Sequence, residues 1–295
     1  MFGLLNLNKP PGWSSRDVIN RIFGLVRPAK AGHAGTLDPL ATGVLVACLG
    51  PATRLIEYVQ QMPKTYHATF RLGCRSASDD VESDVETVAN APQPSRAQLD
   101  AALPQFLGEI EQRPPAFSAV RVDGERAYKL ARRGEIESLP YRPVEIYDLQ
   151  IVAYEFPRLE VTIRCGSGTY VRSLGRDLAA AVGTHAVMSD LVRTAIGPFA
   201  IEHAVDPRAL TKESLAERII APALAVAEMP KWQISAADCA EIANGGLLTP
   251  PAAVVAAAPL ADEFAALDAA GKLRAILRRH RGDEFKPAPN FLQPE

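Results

Sequence analysis

Four cysteines in 295 residues, none in a Cys-x-x-Cys pair, leave the chain without a disulfide framework or a thiolate zinc site. The five histidines are as scattered, so no metal is expected, and His67, inside an alternating run, reads as structural. Long apolar runs are missing too: none approaches the roughly 20 residues of a membrane-spanning helix. The opening residues Met1-Phe2-Gly3-Leu4-Leu5-Asn6 have neither a basic lead nor an extended apolar segment, and the expected location is the cytoplasm. No internal repeat is present. Gly32-His33-Ala34-Gly35-Thr36 lacks the Gly-Lys-Ser/Thr ending that cradles phosphates, which excludes a P-loop. A strong net charge is also absent, 32 Lys and Arg facing 34 Asp and Glu.

What the chain does have is ordinary globular material, 47% hydrophobic and 22% charged, enough for one sizeable core and a smaller domain. The near-neutral total hides an uneven distribution, and a polyanion feels local charge because the rest is screened beyond about 8 Å at physiological salt. Basic residues gather at Lys9, Arg16, Arg21, Arg27 and Lys30, at Arg126, Lys129, Arg132 and Arg133, and at Lys272, Arg274, Arg278, Arg279 and Arg281. Acidic ones gather at Asp79, Asp80, Glu82, Asp84 and Glu86. The middle basic group is diluted by Glu125, Glu135 and Glu137 and reads first as a solvated helix face.

Leu4 to Leu7 reads as a short strand, followed by the turn Lys9-Pro10-Pro11-Gly12 and a helix capped by Ser14 or Ser15 that carries Val18, Ile22, Leu25 and Val26. Pro28 ends it. Val44 to Leu49 suits a buried strand, and Gly50-Pro51 opens a helix with Leu55, Ile56 and Val59 on one side. Tyr66, Ala68, Phe70 and Leu72 alternate with His67, Thr69 and Arg71, the pattern of a half-buried strand. A helix is expected from about Ser95 to Ile110, an extended segment over Arg113 to Ala119, and a short helix over roughly 124 to 133. Two strands, Val144 to Phe156 and Leu159 to Cys165, lead into a glycine turn and a helix ending near Gly183. Strands and helices in irregular order favour an α+β fold with a mixed, mainly antiparallel sheet flanked by helices. Past Met229-Pro230 the texture changes to a small helix capped by Ser235, short strands around Phe264 to Leu267 and Leu273 to Leu277, and an extended tail after Gly282. The expected domains are therefore 1–230 and 231–295.

The most pointed segment is Gly32-His33-Ala34-Gly35-Thr36-Leu37-Asp38-Pro39-Leu40-Ala41-Thr42-Gly43, which sets one carboxylate on a corner among small residues, five positions after a histidine. Pro39 holds Asp38 out of the helical region. Two readings stay open: a reactive carboxylate offered to a large substrate, or a helix cap with Pro39 as the first helical residue. The run Gly168-Thr169-Tyr170-Val171-Arg172, a glycine turn feeding a helix, is a second candidate site.

Those two runs, with Lys9-Pro10-Pro11-Gly12-Trp13-Ser14-Ser15, Lys64-Thr65-Tyr66 and Arg113-Pro114-Pro115, resemble in order and spacing the motifs of the bacterial tRNA pseudouridine synthase B (TruB) family. The resemblance is strong over residues 3 to 200 and weak beyond. It implies a pseudouridine-synthase fold with a small C-terminal PUA-like, β-rich RNA-binding domain. The implied activity is isomerisation of the uridine at position 55 in the T loop of tRNA to pseudouridine, without metal or cofactor. The protein would act as a monomer on the T-arm stem-loop, with no membrane partner. Carried over residue by residue, Asp38 matches the catalytic aspartate, as nucleophile or proton acceptor, and Arg172 its counter-charge. Tyr66 matches the platform for the flipped base, which must leave its stack before the chemistry. Tyr170 and Leu191 would line the same pocket, and His33 would take the space vacated by the flipped nucleotide. Lys9 and Lys64 would contact phosphates, Lys64 also positioning Tyr66. RNA contacts of the C-terminal part would run through Arg278, Arg279 or Arg281. The chain departs from the family pattern at Phe117-Ser118-Ala119-Val120-Arg121, where Tyr-Ser-Ala-x-Lys is usual, and at Ser76-Ala77-Ser78-Asp79-Asp80. Two other classes compete: a non-catalytic tRNA-binding folding chaperone, and a hydrolase pairing Asp38 with His33.

Overall fold

A computed structural model describes residues 1–118, 120–122, 124–136 and 138–292. Ala119 and Glu137, both named above, lie outside the described residues, as does the side chain of Arg132. In chain order the strands are β1 (Gly3–Lys9), β2 (Ala31–His33), β3 (Thr42–Leu49), β4 (Lys64–Leu72), the ribbon β5 and β6 (Cys74–Arg75, Glu86–Thr87) and β7 (Gly108–Gln112). They continue with the ribbon β8 and β9 (Arg121–Val122, Glu125–Arg126), β10 (Arg142–Glu155), β11 (Arg158–Cys165), β12 (Ala186–Ile196) and β13 (Phe199–Ala200). The helices that position the site are α1 (Ser15–Val26), α2 (Ile56–Gln61), α3 (Arg96–Ala102), α4 (Ala127–Arg132) and α5 (Val171–Ala181).

Nine of these strands form one sheet in the order β1-β3-β12-β4-β11-β10-β7, with β2 on β3 and β13 on β12. β1 and β3 are apolar on both faces because each face meets a core: Leu4, Val44, Val46 and Cys48 look one way, and Leu5, Leu7, Leu45, Ala47 and Leu49 pack the other way against Val18, Ile19 and Ile22 of α1. β4 and β11 run antiparallel from Lys64↔Cys165 to Arg71↔Arg158, and their buried face, with Phe70 and Ile163, packs against Leu174 and Leu178 of α5. The sheet is antiparallel except where β12 meets β3, and there Gly43 lies opposite Arg193. Gly43 has φ +99, and a Cβ on it would sit 2.3 Å from the Arg193 carbonyl. A side chain there would part the two strands, which is why the small residues of the Asp38 run end on a glycine.

The mixed, mainly antiparallel sheet agrees with the sequence expectation, and three local expectations need correction. No helix starts at Pro39: residues 39–40 are a bend running straight into β3, closed by Ala41 N–H donating to the Asp38 carbonyl at 3.1 Å. The helix expected to reach Ile110 stops at Ala102, passes through a 3-10 turn, Leu103–Phe106, and gives way to β7. Pro104 removes a helical donor and Gly108 takes φ +78. The segment from Gly50 begins as a 3-10 helix and becomes α-helical only at Ile56.

Beyond Pro230 a second, four-stranded sheet orders β14 (Lys231–Gln233), β15 (Glu263–Leu267), β16 (Leu273–Arg281) and β17 (Glu284–Asn290). Its own core sets Trp232, Phe264 and Phe285 edge to face, and Ser235 caps the helix Ala236–Ala243 through a capping box. Ala265, Leu273 and Ile276 instead join the core around Leu4, Val46 and Val59, so this sheet packs on the larger one. The tail after Gly282 is extended through Asn290 as β17.

Candidate active site

The Asp38 corner is built by the Lys9 to Ser15 segment beside it. Gly12 N–H donates to the Pro39 carbonyl at 3.0 Å. Ser14 caps α1 with a capping box to Asp17, which leaves Ser15 free to hold the corner. Ser15 Oγ accepts from Leu37 N–H at 2.8 Å and donates to the Leu37 carbonyl at 3.1 Å. The Lys9 ammonium donates to the carbonyls of Pro10 at 3.1 Å, Pro39 at 3.2 Å and Ala41. Backbone on both sides of Asp38 is thus fixed, and the carboxylate stands partly exposed at the corner.

Across the gap stands Arg172, in the first turn of α5 and nearly buried. One amino group pairs with Asp38 Oδ2 at 3.0 Å and donates to the Phe117 carbonyl at 3.1 Å. The other pairs with Asp80 Oδ2 at 3.0 Å and donates to the Ser78 carbonyl at 2.9 Å. One planar guanidinium therefore bridges two carboxylates and two loops, a use that lysine geometry cannot imitate. Asp80 is fully buried and also accepts from Glu82 N–H at 3.0 Å. The Arg113-Pro114-Pro115 run is tied to α5 from outside, its Arg113 carbonyl accepting from Ser173 Oγ at 2.8 Å and Arg176 at 3.0 Å. Gln112 brackets Tyr170, accepting from its N–H at 2.8 Å and donating to its carbonyl at 3.1 Å.

These parts enclose an open cavity of about 740 Å³ lined by Asp38, Lys64, Tyr66, Tyr170, Arg172, Leu191 and Arg193, among others. That volume suits a small organic ligand such as one nucleotide. Tyr66 and Leu191 belong to the apolar core and line the cavity at once, and Arg142 stacks over the Tyr170 ring, 4.7 Å from its centroid. His33 is on β2, outside the lining; burial first, and the nearby Arg193 second, push its pKa down. Burial likewise raises the Tyr66 hydroxyl, which the nearby positive charge of Arg193 partly offsets. Glu82, whose carboxylate accepts from Leu40 N–H at 3.1 Å, is pushed up by burial, then by Asp80 and Asp38.

A family model described as "TruB family pseudouridylate synthase (N terminal domain)" matches residues 21–171. The "tRNA pseudouridine synthase B" of Acaryochloris marina is 45% identical over 74% of this chain and 75% of its own length. The protein of the same name from Arthrobacter is 39% identical over 99% of this chain and 98% of its own. The chain belongs to the TruB family. A chain in the crystal structure of a Cbf5-Nop10-Gar1 complex shares the fold, with a TM-score of 0.75 at 24% identity over 100% of this chain and 87% of that one.

Within this TruB chain, two readings of site residues change. Lys9 has no exposed surface and its ammonium is taken by three carbonyls, so it braces the Asp38 corner and has no face for phosphate. Lys64 is also buried, its ammonium donating to the Gln60 carbonyl. Arg278 and Arg279 are paired with Glu263 and Asp262, so much of the C-terminal basic cluster is balanced locally. Arg133 is likewise held by Glu125 and Glu135, as the solvated-face reading expects. Sequence reasoning gives Asp80 and Arg193 no place in the site. Among the described residues no three His, Cys, Asp or Glu side chains group as metal ligands, and no helix is long and apolar enough to cross a membrane.

The buried lysines set a pH signature. Desolvation lowers Lys9 and Lys64 from 10.5 to about 8, Asp38 opposing the shift at Lys9. Between about pH 8 and 10.5 the unfolded chain keeps a lysine proton that the folded chain gives up, so stability rises with pH; below that window both states hold the proton and the cost is complete. Urea melts across the window are expected to show this rise, and Lys9→Met to remove about half of it. An unchanged slope in the variant would show that the Lys9 ammonium is not desolvated.

Proposed function

We propose that this chain converts uridine 55 in the T loop of tRNA to pseudouridine, acting as a monomer in the cytoplasm. The observation that carries the reading is the Asp38 carboxylate, paired at 3.0 Å with a buried Arg172, in a nucleotide-sized cavity that Tyr66, Tyr170 and Leu191 also line. Isomerisation breaks the C1′–N1 bond, turns the uracil and joins C5 to C1′; the C5 proton leaves and N1 ends with a proton. A carboxylate serves either at C1′, as nucleophile, or at C2′, as proton acceptor. It must be aimed at the ribose while the base lies elsewhere in the pocket, and the bracing of the corner by Lys9, Gly12 and Ser15 supplies that aim.

The base reaches such a pocket only by leaving the loop, at a cost of a few kcal/mol, and stacking on Tyr66 returns about 1–3 kcal/mol. Tyr170, held by Gln112 and by Arg142, lines the same cavity. His33 stands next to the corner, outside the cavity, where it can fill the gap left in the loop. The test is tritium release from a T-arm stem-loop carrying 5-tritiated uridine. One tritium per turnover is expected, with none from a stem-loop whose position 55 is 5-tritiated cytidine; binding without release would favour a non-catalytic RNA-folding role.

A further inference from the structure

We propose that Arg193, together with Lys64, stabilises the negative charge that uracil carries between cleavage and re-formation of the glycosidic bond. The inference rests on the isomerase reading and adds a charge-stabilising element to it. When C1′–N1 breaks, the bonding pair stays on the ring, which is an anion spread over N1 and the two carbonyl oxygens. The ring turns, C5 uses its electrons to bond C1′, the C5 proton passes to solvent, and N1 takes one up. A preorganised positive field under the ring lowers the barrier to the first step and costs no reorganisation.

Arg193 fits that role by its lack of a counter-charge. It is 1% exposed, and among the described residues no carboxylate pairs with it, whereas Arg172 holds Asp38 and Asp80 and Arg176 holds Asp79 and Asp177. Its donors go to the carbonyls of Val44 at 2.7 Å, Gly35 at 3.1 Å and Thr36 at 3.5 Å. Those dipoles orient the guanidinium and leave its charge in place, an arrangement costly for stability alone. Its position is specific. Arg193 is the cross-strand partner of Tyr66, at a bulge in β12 that re-aims the chain, and both residues line the cavity. Lys64, two residues before Tyr66, lines the same cavity, its ammonium donating to the Gln60 carbonyl and, among the described residues, pairing with no carboxylate. The Asp38–Arg172–Asp80 set sums to one negative charge, and the uncompensated cations line the cavity together with Tyr66.

The experiment compares Arg193→Gln and Arg193→Lys with wild type in single turnover, on T-arm stem-loops with uridine or 5-fluorouridine at the target position. Consumption of the target nucleoside is read by chromatography after digestion. Fluorine withdraws electrons and makes the ring anion intrinsically more stable, so that substrate needs less help from the protein. Arg193→Gln is expected to slow uridine consumption by about 100-fold with stem-loop Kd changed less than about threefold, and to slow 5-fluorouridine consumption by no more than about 10-fold. Arg193→Lys, which keeps the charge, is expected to fall between wild type and Arg193→Gln. Equal slowing on both substrates, or a deficit confined to Kd, would reduce Arg193 to a scaffold and overturn the proposal. Should Arg193→Gln fail to fold, Lys64→Met carries the same test, a larger deficit on uridine than on 5-fluorouridine supporting the proposal and equal deficits refuting it. A wild type inactive on uridine would strike the isomerase reading itself.

Discussion

Replacing Asp38 by Asn is expected to abolish tritium release, by at least about 10⁴-fold, while stem-loop affinity stays within about threefold. The substitution keeps the size and one acceptor of the side chain, so the corner held by Lys9, Gly12 and Ser15 survives; none of their bonds reaches the Asp38 carboxylate. What disappears is the negative oxygen at 3.0 Å from Arg172, and an amide neither attacks C1′ nor accepts a proton from C2′ at useful rates. Asp38 is part-exposed, so stability changes little. Asp38→Glu provides the geometric control: the carboxylate returns, displaced by one methylene at a corner whose backbone cannot follow, and recovery below about 1% of wild type is expected. Residual release in Asp38→Asn above that level would remove the carboxylate from the bond-breaking step.

The Asp38 corner is legible in part: glycines on either side and a proline after the carboxylate mark a turn, while the bonds from Lys9, Gly12 and Ser15 that fix it come from more than twenty residues away. Tyr66 is legible in part. Alternation along β4 points its side chain to the apolar face, and the structure has it there, with the same ring on the cavity wall. Arg193 is not legible, because β12 carries bulges between Met188 and Asp190 and between Arg193 and Ala195 that break the period-two pattern by which a strand is read. Lys9 misleads for a different reason. A lysine before two prolines looks like the solvent side of a turn, and the carbonyls that bury it are supplied by Pro39 and Ala41, thirty and thirty-two residues on. Ser15 is hidden differently: Asp17, three residues after Ser14, completes a capping box and settles the cap locally, and only the bond of Ser15 to the distant Leu37 amide escapes the sequence.

Asp80→Asn is expected to cost about 3 kcal/mol of stability and to lower turnover by about 100-fold at temperatures where the variant is fully folded. Removing one carboxylate from a buried pair leaves the guanidinium short of a partner, which accounts for the stability loss. The loss of turnover has a separate cause. Arg172 is held in its plane by acceptors at both ends, Asp80 and Ser78 on one amino group, Asp38 and Phe117 on the other. Without the Asp80 charge, Arg172 is free to pair more fully with Asp38, drawing that carboxylate away from the ribose. A third readout checks that the charge has gone. Glu82 has its pKa raised by burial first and by Asp80 second, so in Asp80→Asn its carboxyl should titrate lower by carbon-detected NMR. Lower stability with unchanged turnover would make Asp80 an anchor for the loop and nothing more. Reduced turnover of the fully folded variant would instead make the charge between the two loops what sets the reactive oxygen.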